Sequence, residues 1–481
     1  MPSSFSRLLQ RQFAGPGGIT ELWRIALPMV ISTALDTAMM FIDRCFLARL
    51  DPLHMAACMT GGITAFACTT FFIGLIGYAT ALVAHQYGAG QKAGCPRTIT
   101  QGLILALVAY PVVLALWPLG VASFHWAGHS PRQIELETSY FSILLFGTLI
   151  ILVRCALSSF FSGIGRTRVV MVGNLAGLAV NTVVAWVLIF GKCGLPPMGM
   201  AGAALAVLAG DATALLIQFV AYLRPKLRQE FKLDQAWRFD RPLMGRLLRY
   251  GFPSGLEFVV TFSAFAVMVS LFNGYGEAVA AAVTLAFNWD MVAFVPMIGL
   301  QIAVTSLVGQ NLGRGDEAAA IRAAWSGLKL NLVYSGIMLL LFISIPDLLI
   351  RAFQPDVPPP NYDQIVATAR IMIIMMCVYP LSDGMFIVFS GAIRGAGDTT
   401  WAMAASSLLH WGAVLNTWFL TCYLKLDPVS AWIGFVLVFP IFGLTFWWRF
   451  RSGKWRGHLI LPAACTTRPR QSEPTPCSSS E

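Results

Sequence analysis

Charge is what this sequence has least of: 23 Asp and Glu and 33 Lys and Arg in 481 residues, together 12% of the chain. A soluble domain of that length needs a far more ionised surface, so a water-soluble globule is excluded. Paired cysteines are missing too. The ten cysteines are scattered singly with no C-x-x-C spacing, and Cys58, Cys68, Cys155 and Cys377 fall in apolar stretches, so they read as free packing thiols. The N-terminus has no short basic, apolar and small-residue cleavage pattern, which leaves the first apolar segment in the mature protein. No nucleophile, base and orienting group are gathered as catalysis requires, so the chain reads as no enzyme and needs no organic cofactor. Gly88-Ala89-Gly90, Gly163-Ile164-Gly165 and Gly395-Ala396-Gly397 follow no strand and lack the remaining phosphate-loop glycine. His125 and His129 have the spacing of a metal pair but no third ligand beside them.

What is there is apolar. Hydrophobic residues make up 57% of the chain and its mean hydropathy is +0.69. Apolar stretches of about 20 to 30 residues recur, each long enough to cross a bilayer core as a helix. Twelve are expected, at 20–49, 55–88, 98–126, 136–162, 166–191, 199–223, 243–273, 279–312, 318–350, 363–392, 399–423 and 428–450, in an all-α integral membrane protein. Alternate connections carry the basic residues: Arg7 and Arg11, Lys92 and Arg97, Arg166 and Arg168, the segment from Arg224 to Arg249, Arg314 and Arg322, and Arg394. Basic residues stay on the cytoplasmic side, so both termini are expected there, in a multi-pass protein of the plasma (inner) membrane. The net charge of +10 follows from that arrangement and calls for no nucleic-acid partner.

The chain also repeats itself. Ile73/Ile298, Gly74/Gly299, Leu75/Leu300, Thr80/Thr305, Leu82/Leu307, Val83/Val308, Gly88/Gly313, Gly90/Gly315 and Pro28/Pro253 all stand 225 residues apart. Further along the register slips, and Gly163 to Thr167 answers Gly395 to Thr399 at an offset of 232. Two six-helix lobes related by a pseudo-two-fold axis along the membrane normal follow from the even number of crossings per half. The expected organisation is a cytoplasmic segment 1–19, an N-lobe 20–223, a basic inter-lobe linker 224–242, a C-lobe 243–450 and a disordered polar tail 451–481. Such a frame suits alternating access, though a channel or embedded enzyme stays open on architecture alone.

Several segments resemble the multidrug and toxic compound extrusion (MATE) family. They are Phe41 to Leu50, Gln86 to Gly90, Gly194 to Ala204, Gly251 to Leu256, Val308 to Gly313 and Ile393 to Thr399, in family order over nearly the whole apolar chain. The resemblance implies a monomeric exporter of organic cations or amphipathic compounds, driven by sodium ions or protons; the alternative is a flippase for a lipid-linked saccharide from the same superfamily. It also implies ion-coupling roles for Asp43 on helix 1 and Asp383 on helix 10. The family's helix-7 glutamate falls at Thr261 here, so either Glu257 or Asp290 is expected to supply that carboxylate, with a sodium ion at Asp383, Glu257 and Asp290 as one outcome. The family's helix-5 asparagine falls at Asn181, while Ala185 replaces the acid that follows it in some members.

Other candidates come from the residues themselves, because ionisable groups inside a bilayer are costly and usually paired or functional. Asp36 stands seven residues before Asp43, which at about 100° per residue puts both on one helix face. Arg154 and Asp211 read as a structural pair. Pro28 and Pro253 each remove a helix hydrogen bond at equivalent places and read as hinges.

Overall fold

Helix boundaries follow local chemistry. Asp51, Ser130, Asp240, Asp316 and Asp427 each accept a hydrogen bond from a backbone N–H two or three residues on, which starts a helix. A proline in the first turn accompanies four of the five, where its missing N–H costs nothing. The computed structural model describes residues 13, 15–192, 194–351, 362–376 and 379–457. Arg7, Arg11, Cys377 and the tail from 458 onward lie outside the described residues.

Twelve helical segments occur where the apolar stretches predict them. The N-lobe holds α1 (Ile19–Ala48), α2 (Pro52–Gly77, carried on by Ala79–Gly88), α3 (Gly94–Ala115 and Trp117–Trp126), α4 (Pro131–Phe146 and Thr148–Gly163), α5 (Arg168–Phe190) and α6 (Gly199–Tyr222). The C-lobe holds α7 (Arg241–Asn273), α8 (Glu277–Gly313), α9 (Glu317–Ser344), α10 (Tyr362–Met375 and Tyr379–Ala396), α11 (Thr399–Trp418) and α12 (Pro428–Val436 and Phe439–Arg451). Among the described residues nine spans are long and apolar enough to cross a membrane as they stand. The bent pairs of α4 and α10, equivalent helices of the two lobes, raise that to eleven. The expected twelfth crossing, α11, falls short by composition because Ser406, Ser407, His410 and Asn416 interrupt its apolar run.

Two expectations need correction. Arg394 lies not in a loop but in the last turn of α10, with only 15% of its side chain exposed. The expected tail does not begin at 451 as irregular chain: Lys454–Gly457 forms a 3-10 turn whose Trp455 is buried and stacks on Phe450 at 5.3 Å. An indole against an aromatic helix end removes enough apolar surface from water to hold that short turn.

The lobes meet through equivalent helices: α1 packs on α8, and α7 on α2. A Cβ on Gly74 of α2 would come within 2.8 Å of the Gly255 Cα of α7 and 3.0 Å of the Ser254 carbonyl. One on Gly299 of α8 would come within 2.6 Å of the Val30 nitrogen and 2.7 Å of the Met29 carbonyl of α1. Met29 and Val30 stand 225 residues before Ser254 and Gly255, so the repeated glycine makes the same contact twice. The pattern recurs at the helix ends. Gly88 abuts the Gln310 carbonyl, and Gly313 abuts the carbonyl of His85, the residue 225 places before Gln310. Only glycine lets two backbones approach so closely.

The linker closes over the same end. Its short helix Pro225–Phe231 buries Leu227 and Phe231, the latter against Phe160 and Tyr87. Glu230 accepts hydrogen bonds from Lys92 (3.0 Å) and Arg166 (2.8 Å), and these two cations, Lys92 foremost, hold its carboxyl below the ordinary glutamate value.

Candidate functional site

Asp36, Asp43 and Asp211 gather in the N-lobe, and Asp290 and Asp383 in the C-lobe. In the N-lobe, α1 faces α5 through two matched pairs. Asn174 donates to both Asp36 carboxylate oxygens at 3.0 and 3.1 Å, and Asn181 donates to Asp43 at 3.2 Å. Each pair spans 138 residues, and the seven-residue step between Asp36 and Asp43 is matched by that between Asn174 and Asn181. Helical periodicity therefore stacks the pairs two turns apart on facing helices. Asp43 is 1% exposed, and both its Oδ1 and the Asn181 Oδ1 lack a partner. Ala185, one turn beyond Asn181, is buried on the same helix.

Arg154 of α4 completes this cluster. It lies 3.2 Å from Asp211 of α6 and 3.6 Å from Asp36, and it donates to the Asn174 Oδ1 at 3.2 Å. The expected pairing of Arg154 with Asp211 is present, and it extends to Asp36. Asn174 was not among the expected site residues. Its signal was available in the seven-residue spacing to Asn181, which copies that of the two aspartates.

In the C-lobe, α8 and α10 bring Asp290 and Asp383 within electrostatic reach of each other and of Tyr379. Both aspartates are 3% exposed, and the Asp290 Oδ1 and Asp383 Oδ2 have no hydrogen-bond partner. Glu257 is not with them. It bonds Arg394 at 2.6 Å and is 4% exposed, so the expected three-carboxylate grouping with Asp383 and Asp290 does not form. No group of three potential metal-binding side chains of that kind exists among the described residues. Glu257 is drawn away because the buried guanidinium of Arg394 needs a counter-charge. Thr261 sits half-buried one turn further along α7.

The Glu257–Arg394 pair touches the lobe contact. The Arg394 guanidinium stands 5.7 Å from the Phe258 ring, which packs on Gly74 of the other lobe, and its carbonyl accepts a hydrogen bond from Tyr78. Beside it, His85 Nε2 donates to the Gly395 carbonyl at 2.7 Å, and at the equivalent place Gln310 Nε2 donates to the Gly163 carbonyl at 2.8 Å. These two bonds are one interaction repeated, since His85 and Gln310 differ by 225 and Gly163 and Gly395 by 232. Ser306 adds a bond to the Ser162 carbonyl at 2.5 Å. Pro28 and Pro253 are buried in helices that run unbroken through them.

The sequence profile of the MatE family matches this chain twice, over residues 28–187 and 253–418. The chain belongs to the MatE family. The two matches begin at the equivalent prolines Pro28 and Pro253 and cover α1 to α5 and α7 to α11, so the family unit recurs once in each lobe. Among relatives, multidrug resistance protein PmpM of Pseudomonas aeruginosa is 28% identical over 430 residues, covering 87% of this chain and 88% of that one. A probable multidrug resistance protein NorM of Shewanella oneidensis is 29% identical over 452 residues, covering 92% and 96%. Among solved structures, a MOP-superfamily transporter from Pyrococcus furiosus superposes with a TM-score of 0.83 at 20% identity, over 95% of this chain and 99% of that one. The outward-facing conformation of a multidrug resistance MATE transporter gives a TM-score of 0.81 at 20% identity, over 95% and 100%. The MatE fold thus accounts for the paired lobes.

Proposed function

We propose that this MatE protein is a multidrug efflux transporter that exports organic cations or amphipathic compounds by antiport against sodium ions or protons. The observation that carries the reading is the set of buried carboxylate oxygens without partners: Asp43 Oδ1 in one lobe, Asp290 Oδ1 and Asp383 Oδ2 in the other. A bare negative charge inside hydrocarbon is costly, so each such oxygen calls for a proton or a cation, and either changes the charge of its lobe.

Alternating access supplies the coupling. The close approaches and interlobe bonds at Gly74, Gly88, Gly299 and Gly313 lie in the halves of α1, α2, α7 and α8 nearest the basic turns. With both termini in the cytoplasm, those contacts seal the cytoplasmic end and leave the lobes to part toward the outside. Pro28 and Pro253, just beside the contacts, serve as the bending points. The inner, plasma membrane is the site of action and the monomer the working unit.

Membrane vesicles carrying the protein and loaded with ethidium test this directly, with sodium and proton gradients imposed one at a time. Ethidium should move under one of the two, and the effective gradient identifies the ion. Identical ethidium movement in vesicles with and without the protein, under both gradients, would reject the exporter.

A further inference from the structure

The Asp36 cluster has a feature that simple structural pairing does not account for. Of its three charged members, Asp211 retains 7% of its side-chain exposure and Arg154 19%, but Asp36 retains 44%. Asp36 is held on one side by Asn174 and Arg154, groups of α5 and α4, and the rest of its side chain is left open to approach. Arg154 is closer to the buried acid, 3.2 Å from Asp211 against 3.6 Å from Asp36. Two turns away on the same face lies Asp43, whose buried Oδ1 has no partner.

We propose that Asp36 is a contact for the organic cation, and that Arg154 is an internal counter-ion which competes with the substrate for it. The proposal rests on the exporter reading above and names the residue that selects charge. In the empty protein Arg154 partly neutralises Asp36. An incoming cation takes over the open face of the carboxylate, while Arg154 stays neutralised by Asp211, so the exchange strands no buried charge. Asn174 keeps the carboxylate oriented throughout, since it contacts both oxygens and also donates to the Ser32 carbonyl at 3.4 Å. Arginine suits the task because its planar fork can serve two carboxylates at once, which a lysine ammonium does less well.

Opposite signs for neighbouring substitutions distinguish this from a structural network. Asp36→Asn should weaken binding of tetraphenylphosphonium to the purified full-length protein at least tenfold. Asp211→Asn should weaken it several-fold, because Arg154 then collapses onto Asp36. The charge-neutral double variant Arg154→Gln/Asp211→Asn should bind several-fold tighter than wild type, because nothing competes for Asp36. It removes both members of the buried pair together, leaving the half-open Asp36 held by Asn174, and serves if Arg154→Gln alone does not fold. A purely structural network makes all of these changes weaken binding alike, so weaker binding by the double variant overturns the proposal, as does unchanged binding by Asp36→Asn. Binding is read without a gradient; a protein that binds by this pattern yet moves no ethidium would retain this inference and lose the antiport reading.

Discussion

Alanine at Gly88 or Gly313 is expected to abolish the seal between the lobes and to lower export at least tenfold. At each position the added Cβ would press against a backbone carbonyl of the opposite lobe, Gln310 for Gly88 and His85 for Gly313. A carbonyl in a helix cannot rotate aside as a flexible side chain can. The helices must therefore separate, and overpacking of about 1–3 kcal/mol is the usual cost even where neighbours can adjust. Separation would also lengthen the two repeated hydrogen bonds, His85 to Gly395 and Gln310 to Gly163, which lie within a turn of the contact. Gly336→Ala on α9 is the control. Nothing lies within 4 Å of its Cβ position, and alanine favours the helix by up to about 1 kcal/mol, so export should be unchanged and thermal stability equal or higher. Parallel measurements of export and melting temperature check the pair, and wild-type transport by Gly313→Ala would show that the close approach is dispensable.

The second large effect concerns which acids bind the coupling ion. Asp290→Asn and Asp383→Asn are each expected to remove ion-driven export, a loss of at least tenfold, or about 1.4 kcal/mol or more in coupling. Each amide leaves a buried site with half its negative charge, too little to hold a cation inside hydrocarbon. Glu257→Gln should behave differently. Its carboxylate is occupied by Arg394 at 2.6 Å, so its loss strands a buried guanidinium beside the lobe contact. The rate and the stability should fall while the ion concentration for half-maximal export stays where it was. Titrating export against the coupling ion separates the two cases. If Glu257→Gln shifted that concentration and Asp290→Asn did not, Glu257 would belong to the ion site and Asp290 would not.

How much of this was legible beforehand varied with the length scale of the signal. The spans and the two-lobed frame were plain, because apolar length and a fixed offset survive divergence. Gly74, Gly88, Gly299 and Gly313 could be read as important, yet only the fold shows that each touches the equivalent of its own copy's contact. Asp43, Asp290 and Asp383 stood out as acids in hydrocarbon, while Asn181 was marked by the family resemblance alone. Their partners could not be picked out, since pairing depends on which helix faces which. Glu257 and Asp290 looked interchangeable from the chain alone, and the choice was made by Arg394, a residue that reads as part of a basic loop until α10 is seen to run through it. His85 was overlooked because histidine and glutamine look unlike in sequence, although both present a side-chain N–H at the same repeat position.

Transport as proposed requires two arrangements, this one sealed at the basic end and another open there. The distance between spin labels at Gln91→Cys and Ala318→Cys, exposed sites at that end of the two lobes, tests it once the native cysteines are replaced. Two distance populations are predicted, with the balance moved by ethidium and by the coupling ion, and moved permanently toward the longer distance by Gly313→Ala. A single distance, the same with and without ethidium, with and without the ion, and in the Gly313→Ala protein, would rule out such an exchange.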